Sequence, residues 1–141
     1  MLSNSLHRFY EAQKDVYQTA LNEIRSGKKQ THWMWFIFPQ LAGLGRTETS
    51  KFYAIRDLAE AELYLKDAVL GDRLIEISRA LLDIKGKSAY EILGSPDDLK
   101  LRSSMTLFSL VKNCDPVFSQ ILQRYFSGKV DETTLRLLRK I

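Results

Sequence analysis

The chain has 141 residues, 45% of them hydrophobic and 27% charged, the size of one domain and ordinary globular usage, not a disordered or fibrous composition. One cysteine and two histidines exclude a disulfide framework, an all-protein zinc site and a cysteine-ligated iron–sulfur cluster, so neither metal nor cofactor is expected. Charge is uneven: Lys/Arg outnumber Asp/Glu eight to four over 1–56, trail six to ten over 57–100 and lead seven to three over 101–141, so the basic ends either pair with the acidic middle or offer a patch to phosphate-bearing partners.

Helical periodicity starts at once. Leu6, Phe9, Tyr10, Val16, Tyr17, Leu21 and Ile24 fall on one stripe of a 3.6-residue repeat, with Ser3 or Ser5 as cap and Gly27 as left-handed stop, predicting one helix of about five or six turns. The N-terminus, Met1 to Arg8, carries no apolar leader, and no stretch is long and apolar enough to span a bilayer. The expectation is a soluble, cytoplasmic protein without membrane association, to which a lone Cys114 is suited.

The stretch Thr31-His32-Trp33-Met34-Trp35-Phe36-Ile37-Phe38-Pro39-Gln40-Leu41 breaks the pattern. It holds both tryptophans and is apolar on every side, while Pro39 biases Phe38 towards extended backbone. Met34, Phe36 and Ile37 read as core. Two indoles need partners for their N–H groups when buried, and their faces suit stacking on a base. Lys28, Lys29, His32, Gln40 and Arg46 supply donors around them, and Gly43 and Gly45 permit a sharp turn or close approach by a ligand. Lys28, His32, Trp33, Trp35, Gln40 and Arg46 are therefore the candidate binding residues for a nucleotide or another phosphorylated aromatic ligand.

Further along, Asp57 with Glu60 reads as a capping box opening a short helix through Leu65. Asp67 restarts the chain into a longer helix that Gly86 ends. Ser88 and Glu91 form a second box, leading a turn or two that stops at Gly94. Ser95-Pro96-Asp97-Asp98 reads as hydroxyl cap, proline at the first helical position and two acids on the positive dipole end, and Asp115-Pro116 repeats the signal. Asp131-Glu132 opens a last helix. No run alternates as a strand would. The fold class expected over residues 1–141 is all-α: a compact single-domain bundle of about six to eight helices with a buried aromatic segment.

Other chemical signals are weaker. The hydroxyls of Ser103, Ser104 and Thr106 ordinarily bond back to the preceding turn, with lining the same pocket as the alternative. Glu60 or Glu62 would serve as a general base only if desolvated. Gly43-Leu44-Gly45 lacks the rest of a dinucleotide fingerprint, Gly27-Lys28-Lys29 lacks the rest of a phosphate loop, and neither Gly-x-Ser-x-Gly nor His-Glu-x-x-His occurs.

His32-Trp33-Met34-Trp35-Phe36-Ile37-Phe38-Pro39-Gln40-Leu41, followed by Gly43-Leu44-Gly45, resembles the signature of the family labelled domain of unknown function 1810. Ala12-Gln13, Tyr53-Ala54-Ile55, Tyr64-Leu65, Leu70-Gly71 and Ser103 to Phe108 extend the resemblance over nearly the whole chain. It departs from the signature at Thr31, where serine is expected, and at Glu48-Thr49. The resemblance implies a small all-helical cytoplasmic protein and no established activity. Members are sometimes labelled calpastatin, a label that this core-rich composition contradicts. Phe9 to Lys14 is also similar, more distantly, to a stretch of the helical family that cleaves N-glycosidic bonds in riboflavin intermediates or ADP-ribose linkages. That likeness carries over no catalytic residue; it makes N-glycosidic hydrolysis the activity expected if the chain is an enzyme.

Two functions follow. One is a site for a nucleotide or ADP-ribose-like phosphorylated ligand beside Trp33 and Trp35. The alternative is a non-enzymatic binding or scaffold protein whose basic ends meet an acidic protein or RNA.

Overall fold

Ten helices carry the chain in the computed structural model, which describes residues 3–140 and side chains from Leu6 to Lys140. The cap expected at Ser3 or Ser5 lies outside the described side chains. The helices are α1 (Ser3–Gln13), α2 (Tyr17–Arg25), α3 (Met34–Ile37), α4 (Glu48–Phe52), α5 (Leu58–Lys66), α6 (Leu70–Asp83), α7 (Ala89–Leu93), α8 (Asp97–Ser109), α9 (Val117–Phe126) and α10 (Glu132–Lys140). Among the described residues the one β-type pairing is an isolated parallel bridge between Leu41 and Ile55. No described helix is long and apolar enough to cross a membrane.

Ten helices exceed the expected six to eight, and each excess has a local cause. The first stripe is one apolar face but two helices. After Gln13 the chain tightens into a bond from Val16 N–H to Gln13 O (3.0 Å), because the Gln13 side chain turns inward to donate to Phe36 O at 2.7 Å. The aromatic stretch closes into the single turn α3. Thr47 caps α4 by accepting the Ser50 N–H at 3.1 Å, a hydroxyl cap with no apolar periodicity behind it, since α4 buries no side chain.

Elsewhere the start signals act as expected, with two changes of detail. Asp57 accepts the Glu60 N–H at 2.9 Å, but the Glu60 carboxylate reaches Arg56 N–H (2.8 Å) and Arg8 (3.2 Å) instead of closing the box. Pro96 and Pro116 both stand at the N-cap, of α8 and of α9, not at the first helical position; no side chain caps α8, while Asp115 accepts the Val117 N–H at 2.8 Å. Ser88 and Glu91 do form the complete box. Asp67 accepts the Val69 and Leu70 N–H groups, both at 2.9 Å, and the Tyr10 hydroxyl, tying α1 to the start of α6.

The centre of the bundle is α8. Leu101 and every residue from Ser103 to Phe108 are buried, so beyond its first turn the helix is enclosed, with α5, α7, α9 and α10 around it. Ser103 and Thr106 donate to the carbonyls four residues back, Leu99 (3.2 Å) and Arg102 (2.8 Å), as hydroxyls inside helices do. Thr106 Oγ1 also accepts the Asp131 N–H at 2.9 Å, pinning the entry to α10.

Helices α5 and α6 approach through Gly71, where a Cβ would stand 2.1 Å from Leu65 O, a backbone atom that cannot step aside. Gly71→Ala should therefore destabilise by about 2–3 kcal/mol through overpacking. Chemical denaturation should show it as a lower midpoint at unchanged slope; an unaltered midpoint would refute the close approach.

Candidate functional site

The two indoles serve opposite ends of one short turn. Trp33 is the N-cap residue of α3 and Trp35 its second residue, and a step of two in a helix turns a side chain through about 200°. Trp33 is fully buried, and its N–H donates to Glu23 Oε1 at 2.9 Å. Trp35 stays partly exposed.

Glu23 is the anchor of this region. Its carboxylate also accepts the Gln30 N–H (2.8 Å), the Thr31 N–H (3.0 Å) and the Thr31 hydroxyl (2.7 Å). Burial by itself raises the pKa of this acid, but the bonds from Gln30, Thr31 and Trp33 outweigh it and hold the group at about 2, below its ordinary 4.5. Lys29 covers the Trp33 ring at 5.1 Å and pairs with Asp97 at 3.0 Å. No face of Trp33 is left for a ligand.

Trp35 opens onto a cleft of about 310 Å³. With it stand Gln40, Leu44, Gly45, Arg46, Thr47 and Ser50 from the loop and α4, and Pro96, Leu99, Lys100 and Ser103 from the start of α8. The loop is fixed at its base, where Ile55 N–H donates to Gln40 O (2.9 Å) and Ala42 N–H to Ile55 O (2.8 Å). At its far end Gly45 lies against Ser50, whose Oγ would be 2.3 Å from an added Cβ. Lys100 is held on the opposite wall, 3.6 Å from Asp97 Oδ1 and 4.9 Å above the Trp35 ring. Among the described residues Arg46 has no ion-pair partner, and the lining holds no carboxylate.

Three of the six candidate residues thus meet here: Trp35, Gln40 and Arg46. Trp33 is sealed behind the cleft. Lys28 borders a separate groove beside α7, and His32 is exposed and does not line the cleft. Ser103 lines it as the weaker hydroxyl reading allowed, at 7% exposure. Lys100, Thr47 and Ser50 carried no signal of their own: only tertiary packing brings the first turn of α8 to Trp35. The Thr47/Ser50 cap was legible in principle as a hydroxyl followed by a short polar turn.

The other chemical candidates are occupied. Glu60 is desolvated, at 1% exposure, but its oxygens are committed to Arg8 and Arg56. Glu62 pairs with Lys66 at 3.1 Å. Cys114 sits in another cleft, its thiol near Ser109 O (3.6 Å), and burial pushes its pKa up, away from the reactive thiolate.

A family model described as Protein of unknown function (DUF1810) matches residues 3–138. The solved structure of the conserved hypothetical protein Rv1873 from Mycobacterium tuberculosis is similar at 45% identity and a TM-score of 0.93, covering 95% of this chain and 96% of that one. No curated protein matches the chain.

Two outcomes test this geometry. Because the folded pKa of Glu23 lies below its ordinary value, its contribution is complete above about pH 4.5 and is lost as pH falls towards 2. Glu23→Gln should cost about 3 kcal/mol at pH 7, with the deficit shrinking through that window in denaturation curves; a pH-independent deficit would contradict it. Acrylamide should quench one tryptophan of two, and Trp35→Phe should remove the quenchable emission. Quenching that survives in Trp35→Phe would show Trp33 to be accessible.

Proposed function

The chain belongs to the DUF1810 family, and we propose that its Trp35-containing cleft binds a small phosphorylated ligand with a planar ring, of the nucleotide class. The observation that carries this is the lining: an indole, a free guanidinium, a fixed ammonium, an amide and three hydroxyls around about 310 Å³, with no acid among them. Phosphate oxygens take charge-assisted bonds from Arg46 and Lys100, while Thr47 donates to Ser50 Oγ and Ser50 to the Thr47 carbonyl, which fixes the polar bank beside them. The ring lies along Trp35, with Gln40 offering both a donor and an acceptor to its polar edge.

The volume is at the small end for ligand pockets, roughly 300–1,000 Å³. It suits one phosphorylated ring, and an ADP-ribose-like compound would leave its second half outside. The lining also bears on chemistry. Asp97, which holds Lys100, is itself paired with Lys29, so no free carboxylate stands ready as the acid or base of N-glycosidic cleavage. The reading is one of binding.

A panel of nucleoside mono- and diphosphates and ADP-ribose should raise the melting temperature, since a ligand at a hundred times its Kd adds about 2.7 kcal/mol. Trp35 emission should change on binding while Trp33 stays silent. Arg46→Glu should weaken binding tenfold or more, about 1.4 kcal/mol, and Gln40→Leu should weaken it less. Indifference to the whole panel, or affinity unchanged in Arg46→Glu, would overturn the reading.

A further inference from the structure

A second groove, of about 500 Å³, runs between residues 28–29 and α7, and owes nothing to the cleft. Its walls are cationic and its one aromatic ring is bare: Lys28, Lys29 and Lys87 line it together with Tyr90, which is 64% exposed. The groove is braced along its length. Lys29 N–H donates to Ile92 O at 2.7 Å, and the Lys87 ammonium donates to Gly27 O at 3.0 Å.

That last bond matters, because an ammonium has three donors. One fixes Lys87 in place and two remain for a partner, so its charge is positioned before any partner arrives. Lys28 is exposed and has no ion-pair partner among the described residues. Lys29 is spent on Asp97 and the Trp33 ring. The one acid in the lining, Glu91, turns an oxygen back to the Ser88 N–H at 2.8 Å, and its single charge is outnumbered by the three lysines.

We propose that this groove docks a short single-stranded RNA segment, with Tyr90 stacking one base and Lys28 and Lys87 meeting the flanking phosphates. Ammonium groups alone would serve an acidic peptide equally well. The exposed ring in the same groove favours a partner whose anionic backbone carries flat faces, as single-stranded nucleic acid does.

Fluorescence anisotropy of a labelled oligouridylate with the full chain tests this. Binding should weaken steadily with salt. Tyr90→Ala should weaken it about tenfold, and Tyr90→Phe, which keeps the face, should restore it. Lys28→Glu should weaken it several-fold and flatten the salt dependence, whereas Lys112→Glu, the same change of net charge outside the groove, should leave it as it was. Thermal melts of each variant confirm the fold. Absence of binding at low salt, indifference to Tyr90→Ala, an equal loss in Lys112→Glu, or equal competition by oligoglutamate would each overturn the proposal.

Discussion

One carboxylate organises this protein. Glu23 projects from α2 into a region where burial alone would neutralise it, and four donors keep it ionised: two backbone N–H groups, a hydroxyl and an indole. Those donors come from three residues, Gln30, Thr31 and Trp33, so the acid dictates the path of the chain between α2 and α3. Losing it would leave the buried Trp33 N–H without a partner, which costs more than the bond itself contributes. With Trp33 drawn inward, Trp35 is turned outward by the pitch of a single helical turn, and the cleft exists because of that rotation.

Trp33 consequently behaves as a plug. Lys29 lies on its ring and pairs with Asp97, and Asp97 in turn steadies Lys100 on the ring of Trp35. A chain of alternating charge and aromatic face therefore runs from the buried indole to the exposed one. The Lys29 backbone meanwhile belongs to the wall of the second groove. The cleft and the groove share this framework but no side chain.

Helices that announce themselves by caps and apolar stripes, α5 to α10, could be read from residue order because their signals are local. The break between α1 and α2 could not, since Gln13 turns inward only to meet Phe36 and Tyr64, residues far along the chain. The candidate site was half legible for a similar reason. Composition marked residues 28–46 as a place where donors and indoles gather, but their division into two surfaces depends on α3 being helical, which an all-apolar stretch does not reveal. With the helix in hand, a spacing of two separates Trp33 from Trp35 at once. Lys100 lay beyond reach, because its position over Trp35 depends on how α8 crosses the loop.

The short helix α4 buries nothing, yet it supplies Ser50, while Thr47 caps it from the adjoining loop, and both border the cleft. Apart from the Thr47 cap, side chains there can change with little effect on the interior, whereas on the other wall Ser103 is held by its burial in α8. Substitutions on the α4 bank should therefore reshape that side of the cleft at little cost to the interior, which makes it the natural place to engineer a new lining.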